Sequence, residues 1–123
     1  MKRAKSACYR EVVAKVNRLM EKEAFLERGY HMEDMARDCT TNRSYISQAV
    51  KEDGGGNFNA FLNRKRVLKS RSYLRKRSEN GEFSYTVADV AELCGFASER
   101  TFYRAYRKVF GTTPNRHRRH EEI

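Results

Sequence analysis

The sequence predicts an all-α fold of seven helices. Three observations carry that prediction. Apolar residues recur at helical spacing in most segments, and alternating runs that would signal strands are few. Gly29, the Gly54-Gly55-Gly56 run, Gly95, Gly111 and the single proline, Pro114, fall between those segments as helix punctuation. The chain also repeats itself: residues 33–51 and 88–107 share one order of apolar, small and polar types.

The elements follow in order. From about Ser6 to Arg28, Val12, Val16, Leu19, Met20 and Ala24 recur with helical period, and Gly29 is placed to end the helix. MEDMARDC, 32–39, gives a short helix with Met32, Met35 and Ala36 on its apolar side, interrupted by Thr40 and Thr41. Asn42 is a good N-cap for NRSYISQAVKED, whose apolar stripe is Ile46, Ala49 and Val50.

The longest segment starts at Phe58. FNAFLNRKRVLKSRSYLRKR contains neither Gly nor Pro, with Phe58, Phe61, Leu62, Val67 and Leu74 as its protein-facing set. SENGEFS, 78–84, reads as a loop. Thr86 and Asp89 approximate a capping box before a helix with Val87, Val90, Ala91 and Leu93 on its apolar side. Ser98 caps ERTFYRAYRKVF, where Phe102, Ala105 and Val109 are expected to face the core, and Gly111 ends it. Pro114 opens a last short helix, NRHRRHEE.

Charge narrows the function. The 123 residues carry a formal charge of +10, which speaks to partners rather than to fold. It is uneven. Residues 1–57 hold 11 Lys/Arg against nine Asp/Glu, and residues 58–123 hold 15 against seven. Segments 60–78 and 100–120 contain eight and seven basic residues and no acid. Two such blocks point to a polyanion. No apolar run approaches the length of a membrane span and no signal peptide is visible, so the expectation is a cytoplasmic protein without a membrane partner.

Cys8, Cys39 and Cys94 are odd in number and form no C-x-x-C. They do not describe a disulfide scaffold, and Cys39 and Cys94 read as small buried hydrophobes. With His31, His117 and His120 they make no zinc pattern, so neither metal nor cofactor is expected. The acids and histidines have no serine, cysteine or acid partner at useful spacing. Catalysis is not expected.

In the repeat, Asp34 pairs with Asp89, Ala36 with Ala91 and Cys39 with Cys94. After the turn, Asn42 pairs with Ser98, Ile46 with Phe102 and Ala49 with Ala105. Each unit is a short helix, a tight turn and a capped helix, with a small residue where crossing helices approach. That is the logic of a helix-turn-helix, whose second helix fits a DNA major groove. The open face of the second unit's second helix then carries Glu99, Arg100, Tyr103, Arg104 and Arg107. The equivalent first-unit positions are Arg43, Ser44, Ser47, Gln48 and Lys51. An arginine fork suits guanine O6/N7, and Gln48 can pair with adenine through two bonds.

Gly95-Phe96, Ser98, Phe102, Arg104, Lys108-x-Phe110-Gly111 and Thr113-Pro114 together resemble the DNA-binding domain of AraC/XylS-type bacterial transcription regulators. The first unit agrees more loosely, through Ile46 and NFNAFLNRKRV, and the resemblance covers about residues 12–119. The chain departs from the family pattern at Val50 and Tyr106 (usually Phe), Ser70 (usually Ala) and His117 (usually Tyr), and in a longer loop before Thr86.

The resemblance implies two helix-turn-helix subdomains joined by a long linker helix: residues 1–56, 57–77 and 78–123. It implies sequence-specific binding of double-stranded DNA, with both recognition helices in successive major-groove segments, and regulation of transcription. Base-facing residues are then Arg43, Ser44, Ser47, Gln48, Glu99, Arg100, Tyr103 and Arg104. Backbone-facing residues are Lys51, Arg64, Arg66, Arg107 and Lys108. RNA polymerase and a sensor or dimerisation domain outside this chain are the further partners it admits. The alternative reading is a nonspecific architectural nucleic-acid-binding protein, separated from the first by the affinity difference between a selected site and random DNA.

Overall fold

The computed structural model describes residues 7–54 and 56–120. Among them are seven α-helices: α1 (Ala7–Glu21), α2 (Met32–Asp38), α3 (Arg43–Gly54), α4 (Phe58–Leu74), α5 (Val87–Leu93), α6 (Glu99–Phe110) and α7 (Pro114–Arg119). The only β feature among the described residues is an isolated antiparallel bridge, Arg77 to Phe83. Ser6, Gly55, Glu121 and Glu122, which the sequence places in or beside helices, lie outside the described residues.

Two compact units form. Among the described residues, one takes those up to Ala24 and those within Tyr30–Phe61, and the other takes Phe25–Gly29 and those from Leu62 to His120.

In the first unit α1, α2 and α3 pack around Tyr9, Val12, Val16, Met35, Ala36, Cys39, Ile46 and Val50. The Tyr9 hydroxyl donates to Glu52 Oε1 at 2.9 Å, tying α1 to the far end of α3. The Tyr30 hydroxyl donates to Asp38 Oδ2 at 2.9 Å. Phe58 and Phe61, at the start of α4, are buried as their spacing predicts.

The second unit is built around Val67, Leu74, Val87, Val90, Ala91, Cys94, Phe96, Phe102, Ala105 and Tyr106. Tyr106 stacks on Phe110 with ring centroids 4.8 Å apart and meets Phe102 edge-on at 5.8 Å.

The internal repeat is physical. Cys39 and Cys94 end α2 and α5 with nearly identical dihedrals, φ −92° and −93°. Thr41 N–H returns to Ala36 O at 2.9 Å, and Phe96 N–H to Ala91 O at 3.0 Å. His31 N–H meets Asp34 Oδ2, as Thr86 N–H meets Asp89 Oδ2. Asn42 Oδ1 caps Tyr45 N–H, and Ser98 Oγ caps Thr101 N–H, both at 3.1 Å.

Four local expectations are corrected. Periodicity carries the first helix to Arg28, but α1 ends at Glu21 and Glu23 turns left-handed at φ 61°. The chain must leave the helix there, because residues 25–29 belong to the second unit. The linker helix ends at Leu74, since Ser84 N–H takes Lys76 O in a turn closed by Ser78 N–H to Glu82 O. Leu93 is 41 % exposed and Cys94 takes the inward place, because one helix face holds 87, 90, 91 and 94. Val109 is likewise outward, and the inner row of α6 runs 102, 106, 110 at i, i+4 spacing.

Candidate nucleic-acid interface

Burial of one face of α3 exposes the other. Ile46 and Val50 are buried, and Tyr45 is half-buried with its ring edge-on to Tyr9 at 5.7 Å. Arg43, Ser44, Ser47, Gln48 and Lys51 are all exposed. Arg43 lies against α2, with Nη1 3.3 Å from Glu33 Oε2 and Nε donating to Met32 Sδ at 3.5 Å. Ser47 Oγ donates weakly to the same sulfur at 3.9 Å. A cleft of about 470 Å³ borders this face, lined among others by Met32, Ser47, Gln48, Lys51 and Phe58.

On α6 the buried row is Phe102, Ala105 and Tyr106, while Glu99, Arg100, Arg104, Arg107 and Lys108 are exposed. Tyr103 is half-buried, and its hydroxyl oxygen accepts from Asn115 Nδ2 at 2.7 Å. Burial and then the Glu99 carboxylate push its ionisation upward, while the Asn115 bond pulls the other way. The phenol stays protonated at neutral pH. Gly111 caps α6 in the left-handed region at φ 74°, with its N–H on Arg107 O.

The linker helix and the turn after it divide their basic residues. Arg64, Lys65 and Lys69 are half-buried, and Arg75, Lys76 and Arg77 are exposed. Lys69 Nζ lies 5.6 Å from the Tyr73 ring centroid. Arg66 corrects the backbone-facing set. It is 9 % exposed, and its Nε and Nη2 donate to Phe25 O at 2.5 Å and Glu27 O at 3.0 Å. Burial lowers its proton affinity. Its fork serves carbonyls that the segment 25–29 presents, and burial withdraws the guanidinium from the surface that a phosphate would reach.

Arg66→Ala is therefore expected to destabilise the second unit by several kcal/mol, at about 1.5–3 for each bond to a charged group. The salt dependence of DNA binding is expected to keep its slope. A slope lowered by about 1 in a salt titration would return Arg66 to the phosphate-contacting set.

Arg118 plays the matching role for the end of the chain, donating to Leu74 O at 2.8 Å and Tyr85 O at 2.7 Å. His117 Nδ1 lies 2.6 Å from the Tyr106 hydroxyl, which burial pushes up to about 12. Thus Tyr106 and His117 form one buried polar pair inside the second unit. Among the described residues no group of His, Cys, Asp and Glu could hold a metal ion, and no helix is long and apolar enough to cross a membrane.

Sequence reasoning passed over Asn115 and the inward Arg66. Nothing in a separation of 12 residues marks Asn115 as a partner of Tyr103. For Arg66, position 66 between Leu62 and Val67, both apolar, is the one available signal.

A family model described as a helix-turn-helix domain matches residues 35–120. The chain belongs to the AraC/XylS-type helix-turn-helix family. As a member it is a sequence-specific DNA-binding domain of the transcription-regulator class. It is 27 % identical to the regulatory protein PocR of Salmonella typhimurium over 96 residues, 78 % of this chain and 30 % of PocR. The chain thus spans less than a third of that relative's length.

Two solved structures share the AraC-type fold. The DNA-binding domain of AdpA, crystallised with a target DNA, superposes with a TM-score of 0.70 at 24 % identity, covering 95 % of each chain. An AraC-type regulator from Chromobacterium violaceum gives 0.73 at 23 % identity, covering 93 % of this chain and 95 % of its own.

Proposed function

We propose that this domain reads double-stranded DNA through two recognition helices, α3 and α6, entering successive major-groove segments. The base-facing set is Arg43, Ser44, Ser47, Gln48, Glu99, Arg100, Tyr103 and Arg104. Lys51, Arg64, Arg107 and Lys108 contact phosphates. The observation that carries the reading is the repeated unit. In both copies the second helix buries one row and leaves polar, hydrogen-bonding side chains exposed on the other. Residues 57–77 act as the linker between the segments 1–56 and 78–123. RNA polymerase and a sensor or dimerisation domain outside this chain complete the partners, the cytoplasm is the place of action, and no catalytic step belongs to the function.

Selection of bound sequences from random duplex DNA tests the reading. Two conserved half-sites about one helical turn apart, roughly 34 Å, are expected. A single half-site assigns specificity to one unit, and no recovered motif leaves the architectural alternative. Arg104→Ala is expected to cost about 1–3 kcal/mol at the selected site and to flatten discrimination at one position. Equal losses on selected and random DNA in competition binding would make Arg104 a backbone clamp, with specificity left to Glu99, Arg100 and Tyr103.

A further inference from the structure

Asn115 occupies the second position of α7, and its side chain reaches Tyr103 on α6. The distance from Nδ2 to the phenol oxygen is 2.7 Å. Asn115 is exposed, and Thr113, not Asn115, caps its helix through Arg116 N–H. The contact therefore serves neither the core nor the cap. It acts on a side chain that stands beside Arg104 on the exposed face of α6.

The chemistry of the phenol gives the contact a consequence. A tyrosine hydroxyl can accept through its oxygen and donate through its proton. Here the amide of Asn115 already fills the accepting role. The group left to offer is the O–H. In the major groove, guanine N7 and O6 and thymine O4 accept hydrogen bonds, whereas cytosine N4 donates, as does adenine N6 beside its N7 acceptor. A donor-only phenol favours the first set. The equivalent first-unit position is Ser47, whose hydroxyl instead points its proton at Met32 Sδ. The two units thus hold corresponding side chains in opposite hydrogen-bonding states.

We infer that Asn115 is a specificity-determining positioning residue: by occupying the Tyr103 oxygen it makes this tyrosine a donor that selects an acceptor edge, guanine or thymine, over cytosine. The inference rests on α6 being the base-reading helix of the second unit, as proposed above.

The test uses the full chain, the duplex recovered by selection and its single-base variants. Tyr103→Phe locates the base pair concerned, by a loss of discrimination there of about five- to tenfold, the value of one net hydrogen bond. Asn115→Ala is expected to narrow discrimination at that same base pair, with affinity for random DNA held within about twofold. Asn115→Asp offers an acceptor to the phenol proton and leaves the Tyr103 oxygen facing the groove. Preference at that base pair is then expected to move toward cytosine or adenine N–H edges. Aspartate suits the first turn of a helix, so this variant keeps the fold, and thermal melting of both variants checks it.

Uniform weakening of all sequences by Asn115→Ala overturns the inference, as does an Asn115→Asp protein that keeps the original ranking of bases. Arg104→Ala separates the two levels. If it flattens its own base pair while both Asn115 variants leave the ranking intact, the inference fails and the reading of α6 stands. If neither Arg104→Ala nor Tyr103→Phe alters any ranking, both fail.

Discussion

Replacing Phe61 with alanine is expected to destabilise the first unit by about 3–5 kcal/mol, the usual cost of emptying a buried aromatic site. Phe61 is 2 % exposed and sits in the first turn of α4, where its N–H bonds Asn57 O at 3.0 Å. Helical spacing places Phe58 on the same inward side, also buried. The unit has few large side chains to compensate: Met35 and Ile46 are the other big fully enclosed ones before α4. Small domains have only about 5–15 kcal/mol of total stability. A loss of this size therefore shows as a large drop in urea midpoint for the first unit, with m unchanged. Hydrogen exchange resolved by residue assigns the loss to α1–α3 rather than to α5–α7. A change well under 1 kcal/mol would mean that the ring is accessible to water and that α4 begins outside the core.

Gly95→Ala is expected to destabilise the second unit by about 3 kcal/mol, from two sources. The residue adopts φ 86°, a left-handed conformation that costs an L-residue about 1–2 kcal/mol. An added Cβ would also lie 2.6 Å from Leu26 O and 3.1 Å from Arg66 Nε. Overpacking of that kind adds about 1–3 kcal/mol. The carbonyl cannot swing aside, because its segment is fixed by Arg66 on Phe25 O and Glu27 O and by Arg28 Nη2 on Ala97 O at 3.1 Å. Gly111 is the control. It has φ 74° but nothing within 4 Å of a built Cβ, so Gly111→Ala carries the left-handed cost alone. Thermal unfolding of the two variants should rank them in that order, and equal shifts would show that the 25–29 segment yields.

Thr40 makes the same point from the other unit. It holds the turn position equivalent to Gly95 at φ 51°, and a side chain is tolerated there. The two turns share their hydrogen bonds and differ in what covers them. The glycine in the second turn is thus required by a tertiary neighbour as well as by the turn itself.

Much of the fold was legible in the chain because its signals are local. Asn42, Thr86 and Ser98 act as caps, Gly111 ends α6 and Pro114 starts α7, all within three or four residues of the groups they satisfy. Apolar spacing located Val12, Val16, Ile46, Phe61, Val90 and Phe102 in the two cores. The exposed faces of α3 and α6 follow from those buried rows by helical geometry alone. Family membership was legible for a related reason: the motif from Gly95 to Pro114 is one supersecondary unit, contiguous in sequence.

What the chain could not announce depends on partners distant in sequence. Arg66 resembles every other arginine of a basic block until two carbonyls 39 and 41 residues earlier come within reach of its fork. The first helix carries apolar periodicity past the point where it stops, because residues 25–29 are claimed by the second unit. Val109 and Phe110 are both apolar neighbours at the end of α6. Phe110 continues the row of Phe102 and Tyr106, and the rings of Tyr106 and His117 and the Arg71 guanidinium pack against it. Tyr103 was recognisable as a groove-facing candidate, but whether its hydroxyl gives or takes a hydrogen bond is set by Asn115, 12 residues away on another helix. Local spacing determines which helices form and which faces they bury. Long-range hydrogen bonds to a few polar groups determine which of the charged and polar side chains are drawn inward or engaged by another helix.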